Sequence, residues 1–106
     1  MREIEAKKVT ETVSRLCQEA NFFLPDDVLE ALKLARKTEE SPTGQQTMDQ
    51  IIANAKLASD EQIAICQDTG TTVVYLEVGQ DAHIVGGNLY DAVNEGVRQG
   101  YDKGYL

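Results

Sequence analysis

Near residue 60 the hydrophobic period of this chain changes, and that change limits the folds open to it. Upstream, Val9, Val13, Leu16, Cys17 and Ala20 fall on one face of a helix, which predicts a first helix from Arg2 to about Ala20. Asn21 to Pro25 break the pattern. Pro25-Asp26-Asp27 then reads as a helix start, with proline and acidic groups suited to the positive end of the helix dipole. Val28, Leu29, Leu32 and Ala35 form its apolar stripe, and Lys33, Arg36 and Lys37 lie near its end. Ser41-Pro42 is a further start signal, a capping serine before a proline. Met48, Ile51, Ile52 and Ala55 continue that third helix to about Ala58, where Ser59-Asp60-Glu61 makes a polar break.

Downstream the reading switches to strands. Ile63-Ala64-Ile65 is a short buried run, and Thr71 to Val78 is a strand rich in β-branched residues. After a turn at Gly79-Gln80-Asp81, Ala82-His83-Ile84-Val85 reads as a further strand ending at Gly86-Gly87. Asn88 is placed to cap a last helix through Leu89, Ala92, Val93, Val97 and Tyr101. The expected class is α+β: helices over about 1–60, a small antiparallel sheet over 61–87, and a terminal helix over 88–106, all in one domain.

Gly96, Gly100 and Gly104 line one side of that last helix. Each glycine costs a helix about 1 kcal/mol relative to alanine. Either another backbone approaches closely there, or the helix is weak and frayed. The chain stops at Gly104-Tyr105-Leu106 without an evident cap or polar tail, so the expectation is a fragment of a larger catalytic domain.

A chain of 106 residues suffices for one small domain, and 42% hydrophobic residues are too many for a disordered one. The formal net charge of −8 argues against nucleic acid or an anionic membrane surface as partner. No run approaches the roughly 18 apolar residues of a membrane helix, and the start Met1-Arg2-Glu3-Ile4-Glu5 lacks the apolar stretch of a secretory signal. Cys17 and Cys66 therefore read as thiols in a reducing compartment, the cytoplasm by default.

One cluster of residues is unusual. Cys66-Gln67-Asp68-Thr69-Gly70 crowds a thiol, an amide, a carboxylate and a hydroxyl onto what reads as a strand–turn–strand junction. A thiol so placed can serve as a soft metal ligand or a nucleophile. The blander alternative has Cys66 ending a buried strand, Asp68 forming an Asx-turn and Gly70 supplying a positive φ.

The string from Ile65 through Val74 resembles the first cluster-binding motif of class I fumarate hydratases. The resemblance continues through Leu76-Glu77-Val78-Gly79-Gln80-Asp81, His83-Ile84, Gly86-Gly87, Asn94 to Arg98 and Gly100-Tyr101. Upstream, Glu19 to Pro25 and Glu39-Glu40-Ser41 also look like the family, in its separate α-subunit form. The resemblance implies a [4Fe–4S] cluster held by three cysteine thiolates, with one iron left open for substrate. Cys66 matches the first of those cysteines, and the other two fall beyond this chain. By the same resemblance Gln67 and Asp68 contact the substrate, with Asp68 a candidate acid/base. The implied reaction is reversible hydration of fumarate to malate, or the analogous dehydration by a tartrate dehydratase α-subunit. The implied partners are a small dicarboxylate, the rest of the α-subunit, and a β-subunit or C-terminal domain, with the full enzyme a homo-oligomer. A chain with one cluster cysteine is expected neither to hold a stable cluster nor to turn over substrate alone.

The remaining candidates read more plainly. Cys17 lies outside the motif and is expected to be a core thiol on the first helix. His83, the sole histidine, is expected to be half-buried on a strand, the alternative being a place beside the site. Arg98 and Lys103 are expected to be solvated surface charges. Two readings from other classes compete. Asp68-Thr69-Gly70 is the triplet of aspartic proteases, whose paired carboxylates share a proton, but that fold is almost all strands. A non-catalytic helical scaffold or interaction module would use the glycine face of the last helix for docking.

Overall fold

The computed structural model describes residues 1–68 and 70–106. Its elements run β1 (Arg2–Glu5), α1 (Ala6–Phe22), α2 (Asp26–Thr38), α3 (Pro42–Glu61), β2 (Ala82–Val85) and α4 (Leu89–Gly104). They fall into two compact units, one of Met1–Glu19 with Gln67–Leu106 and one of Ala20–Cys66. The α+β class is as expected. The sheet is not: β1 and β2 are parallel, in register Arg2↔Ala82 through Glu5↔Val85.

The reason lies at the chain's start. Arg2–Glu5 was expected to open the first helix, but no apolar helical stripe begins before Val9. Here the four residues are a strand because β2 offers them a ladder, a tertiary choice that local sequence does not carry. The expected turn does form, with Ala82 N–H donating to Gly79 O at 3.0 Å. It delivers β2 to the N-terminal residues, and Arg2 N–H donates to Asp81 O at 2.8 Å. Thr71–Val78, expected as a strand, has no regular secondary structure, carries no ladder and is exposed throughout. The short run Ile63–Ile65 is likewise not a strand.

In the first unit, α1 and α4 share the core. Val13, Cys17 and Val93 are buried, with Val9, Leu89, Val97, Tyr101 and Leu106 packed against them. The glycine question resolves in favour of close approach. A methyl group added at Gly96 would lie 2.7 Å from both the Thr10 carbonyl oxygen and Val13 Cβ. One added at Gly100 would lie 2.7 Å from the Ser14 carbonyl oxygen and 2.9 Å from Cys17 Cβ. Thr10 Oγ1 donates to Ala92 O at 2.9 Å along the same seam. Asn88 caps α4 as expected, its Oδ1 accepting from Tyr90 N at 2.9 Å and Asp91 N at 3.2 Å. The far end is capped too, contrary to the reading of the sequence. Tyr105 takes a left-handed conformation (φ 53°), and its N–H donates to Tyr101 O.

In the second unit α2 and α3 form a helical hairpin. Ser41 Oγ accepts from Gly44 N–H at 3.3 Å, so the predicted cap of α3 is present. Arg36 Nε pairs with Asp49 Oδ1 at 2.7 Å, and Gln45 Nε2 donates to Glu39 O at 2.8 Å. Phe22, Ala55 and Ala58 are buried, whereas α2 buries no residue fully. Helix α3 runs through the expected break at residues 59–61. Lys56 and Asp60 pair at one-turn spacing, and Ser59 Oγ donates to Lys56 O, so these polar groups serve its outer face. It ends at Gln62, in a left-handed conformation (φ 52°) with its N–H on Ala58 O. Among the described residues, no helix is long and apolar enough to cross a membrane.

Candidate functional site

The segment that brings the chain to Cys66 is held by two asparagines. After the left-handed stop at Gln62, the backbone passes Ile63 and Ala64 without regular structure. Ile65 is then fixed from both sides: its N–H donates to Asn21 O at 2.9 Å, and its carbonyl accepts from Asn54 Nδ2 at 2.8 Å. Asn21 lies in the last turn of α1 and Asn54 in α3, both residues of the second unit, and together they set the position of the residue before the thiol. Neither asparagine was singled out from the sequence. Asn21, half-buried, acts through its backbone carbonyl, which residue type does not mark, and Asn54 is one polar residue at an exposed helix position.

Cys66 itself is exposed. It therefore does not end a buried strand, and the expected strand–turn–strand setting is replaced by an irregular segment. Cys66 closes the second compact unit, while Gln67 and Asp68, both exposed, begin the return to the first. Among the described residues, none of these three side chains has a hydrogen-bond partner or an ion pair. Thr69, the fourth residue of the motif, lies outside the described residues. Gly70 is exposed, and a methyl group placed there would meet nothing within 4 Å.

The second cysteine differs in every respect. Cys17 is buried against Val13 and Val93, and burial pushes its thiol pKa up. It is the core thiol that its place on the first helix implied. His83 lies on β2 opposite Glu3 and is exposed rather than half-buried. Outward-facing positions on so short a strand pair remain in water. Arg98 is exposed and held by Glu95, Nε to Oε2 at 2.8 Å and Nη2 to Oε1 at 2.6 Å. Those bonds, with one from Gln99, hold the Glu95 carboxyl down at about 2. Lys103 is also exposed, so both cations are surface charges.

The donor set can be weighed against a metal or cluster. Among the described residues there is no group of three or more His, Cys, Asp or Glu side chains arranged to hold a metal ion. What this chain offers is one water-accessible thiol on a pinned backbone, flanked by an amide and a carboxylate. That fits a single ligand of a shared site.

The family model described as "Fumarate hydratase (Fumerase)" matches residues 10–106. The chain is 36% identical over 95 residues to the putative L(+)-tartrate dehydratase subunit alpha of Methanocaldococcus jannaschii, covering 87% of this chain and 33% of that protein. It is 30% identical over 79 residues to the L(+)-tartrate dehydratase subunit alpha of Escherichia coli, covering 74% of this chain and 26% of that protein. The match to the corresponding subunit of Shigella boydii has the same identity and extent. The chain thus spans a third or less of the length of these curated relatives.

Proposed function

Because this chain belongs to the fumarate hydratase family, we propose that it supplies one part of an iron–sulfur hydro-lyase that reversibly hydrates fumarate to malate. The observation that carries the reading is the exposed Cys66 thiol, presented directly after the clamped Ile65. In this reading Cys66 is one of three thiolate ligands of a [4Fe–4S] cluster, and the other two come from outside this chain. A bound cluster with one open iron supplies a Lewis acid for the hydroxyl that is added or lost.

The chain's own residues then have distinct tasks. The Gln67 amide donates a hydrogen bond to a substrate carboxylate. Asp68, next along, accepts from the substrate hydroxyl or exchanges a proton with the carbon beside a carboxylate, provided substrate lies within hydrogen-bond reach. A dicarboxylate also needs cations. Arg98 is engaged by Glu95, so those cations come from the remainder of the α-subunit and from a β-subunit or C-terminal domain. The working enzyme is a cytoplasmic homo-oligomer of such units. Dehydration of L(+)-tartrate is the second reading, favoured by the names of the relatives. Both reactions make or break a C–O bond beside a carboxylate and call on the same three residues.

The test is anaerobic reconstitution of the complete enzyme with iron and sulfide, assayed with fumarate and with L(+)-tartrate. Cys66→Ser is expected to abolish the cluster's visible absorption and the turnover together. If both persist unchanged in that variant, the ligand assignment is wrong. The 106-residue chain alone is expected to show no turnover, and measurable activity from it would refute its being one part of the site.

A further inference from the structure

Residues 62–66 carry more backbone restraint than the end of a helix requires. Helix α3 is already closed by the N–H groups of Gln62 and Ile63, both of which donate to the Ala58 carbonyl. Asn54 lies one turn before Ala58 on the same helix. Its amide reaches past that stop to the Ile65 carbonyl, 2.8 Å away. The side chain is exposed, so the bond competes with water and its contribution to stability is modest.

Its effect is on direction. The Ile65 carbonyl and the Cys66 N–H belong to one planar peptide group, so fixing the oxygen fixes the plane that ends at the Cys66 Cα. The preceding plane is fixed as well, because the Ile65 N–H donates to the Asn21 carbonyl at 2.9 Å. With both planes held, the thiol keeps only the φ and χ1 torsions of Cys66 itself. The restraint ends there: among the described residues, Cys66, Gln67 and Asp68 make no backbone or side-chain hydrogen bond. Asn21, Asn54, Ile65 and Cys66 all belong to the one compact unit of Ala20–Cys66. Asn21 lends a backbone carbonyl, which every residue carries, so Asn54 is the side chain on which the clamp depends.

We propose that Asn54 is a positioning residue for Cys66: its carboxamide holds the Ile65–Cys66 peptide so that the thiolate is presented to iron in one direction. Asn54 touches neither metal nor substrate and acts only through the backbone. A ligand already set in direction loses less conformational freedom on binding, so affinity rises without a further donor. Outer groups that orient a metal ligand change affinity or activity about 10–100-fold. The inference rests on the hydro-lyase reading for the metal that Cys66 meets, and not for the clamp.

Asn54→Ala and Asn54→Asp both remove the donor, the second at constant size. The control is Asp49→Ala, which removes the exposed Arg36–Asp49 pair of the same unit, a contact that does not involve Ile65. In the 106-residue chain, amide nitrogen relaxation is expected to give Cys66 an order parameter of about 0.85 in the parent and in Asp49→Ala, and below about 0.6 in both Asn54 variants. In the complete enzyme reconstituted with iron and sulfide, loss of the cluster to a chelator is followed by its visible absorption. That loss is expected to run about 10-fold faster in both Asn54 variants than in Asp49→Ala. Two results would overturn the proposal. One is a Cys66 amide as rigid in the Asn54 variants as in the parent. The other is a cluster that these variants lose no faster than Asp49→Ala does. A parent enzyme that assembles no cluster would sink the hydro-lyase reading instead, and the order parameters, which need no metal, would still uphold or overturn the clamp.

Discussion

Replacing Gly100 by alanine sets two effects of opposite sign against each other. Helix propensity alone favours the substitution by about 1 kcal/mol. In the folded chain the new methyl carbon falls 2.7 Å from the Ser14 carbonyl oxygen, 3.2 Å from Ser14 Cα and 2.9 Å from Cys17 Cβ. Ordinary contacts to such atoms begin at about 3.3–3.6 Å, so α1 and α4 must separate by about half an ångström or more. Two of the three atoms are backbone, which no rotamer change can move aside. Overpacking of this kind costs about 1–3 kcal/mol, and with backbone opposing, the upper end applies. The net expectation is a loss of about 2 kcal/mol. At about 4–8 °C per kcal/mol for a domain of this size, the melting temperature falls by about 8–16 °C. Urea unfolding followed by far-ultraviolet circular dichroism measures the change, with Asn94→Ala on the exposed face of α4 as a control expected to be neutral or slightly stabilising. If Gly100→Ala instead stabilises the chain by about 1 kcal/mol, the helices do not approach as described and the glycines mark only a weak helix.

Three further outcomes follow from the same structure. Cys66 is expected to react with an aromatic disulfide reagent in the native state and Cys17 only as fast as the chain unfolds, because one thiol is exposed and the other buried with a raised pKa. Asn54→Ala is expected to cost about 1 kcal/mol and to mobilise the segment around Cys66, read as faster amide exchange at Ile65. The Glu95 carboxyl, lowered from 4.5 to about 2 by Arg98 and Gln99, is expected to titrate near that value by carbon-detected NMR. Since its folded pKa is depressed, its contribution is complete above the unfolded value and fades as pH falls toward 2. Glu95→Gln should therefore be less stable than the parent at neutral pH and converge with it in strong acid.

Some of this was legible along the chain and some was not, and the division falls by range of interaction. The helices α2, α3 and α4 are written in local terms: the caps at Ser41 and Asn88, the proline at position 42 and the apolar stripes all act within a few residues. The family was legible along the chain, because residue types in order carry it. The setting of Cys66 was not. Whether a thiol faces water depends on what packs over it, and the clamp at Ile65 comes from residues 21 and 54, far away in the chain.

The strands show the limit most clearly. A β-branched run says that a segment suits a ladder but not where the ladder comes from, so Thr71–Val78 has strand sequence and no strand, while Arg2–Glu5 has little strand sequence and forms one. Sequence by itself determined helices α2 to α4 in outline and the family. Tertiary structure decided the parallel pairing of β1 with β2, the choice between the two roles open to the α4 glycines, and the exposure of Cys66. Helix signals are satisfied by neighbours within one turn. Pairing, close approach and burial are satisfied only by whichever distant part of the chain arrives to share them.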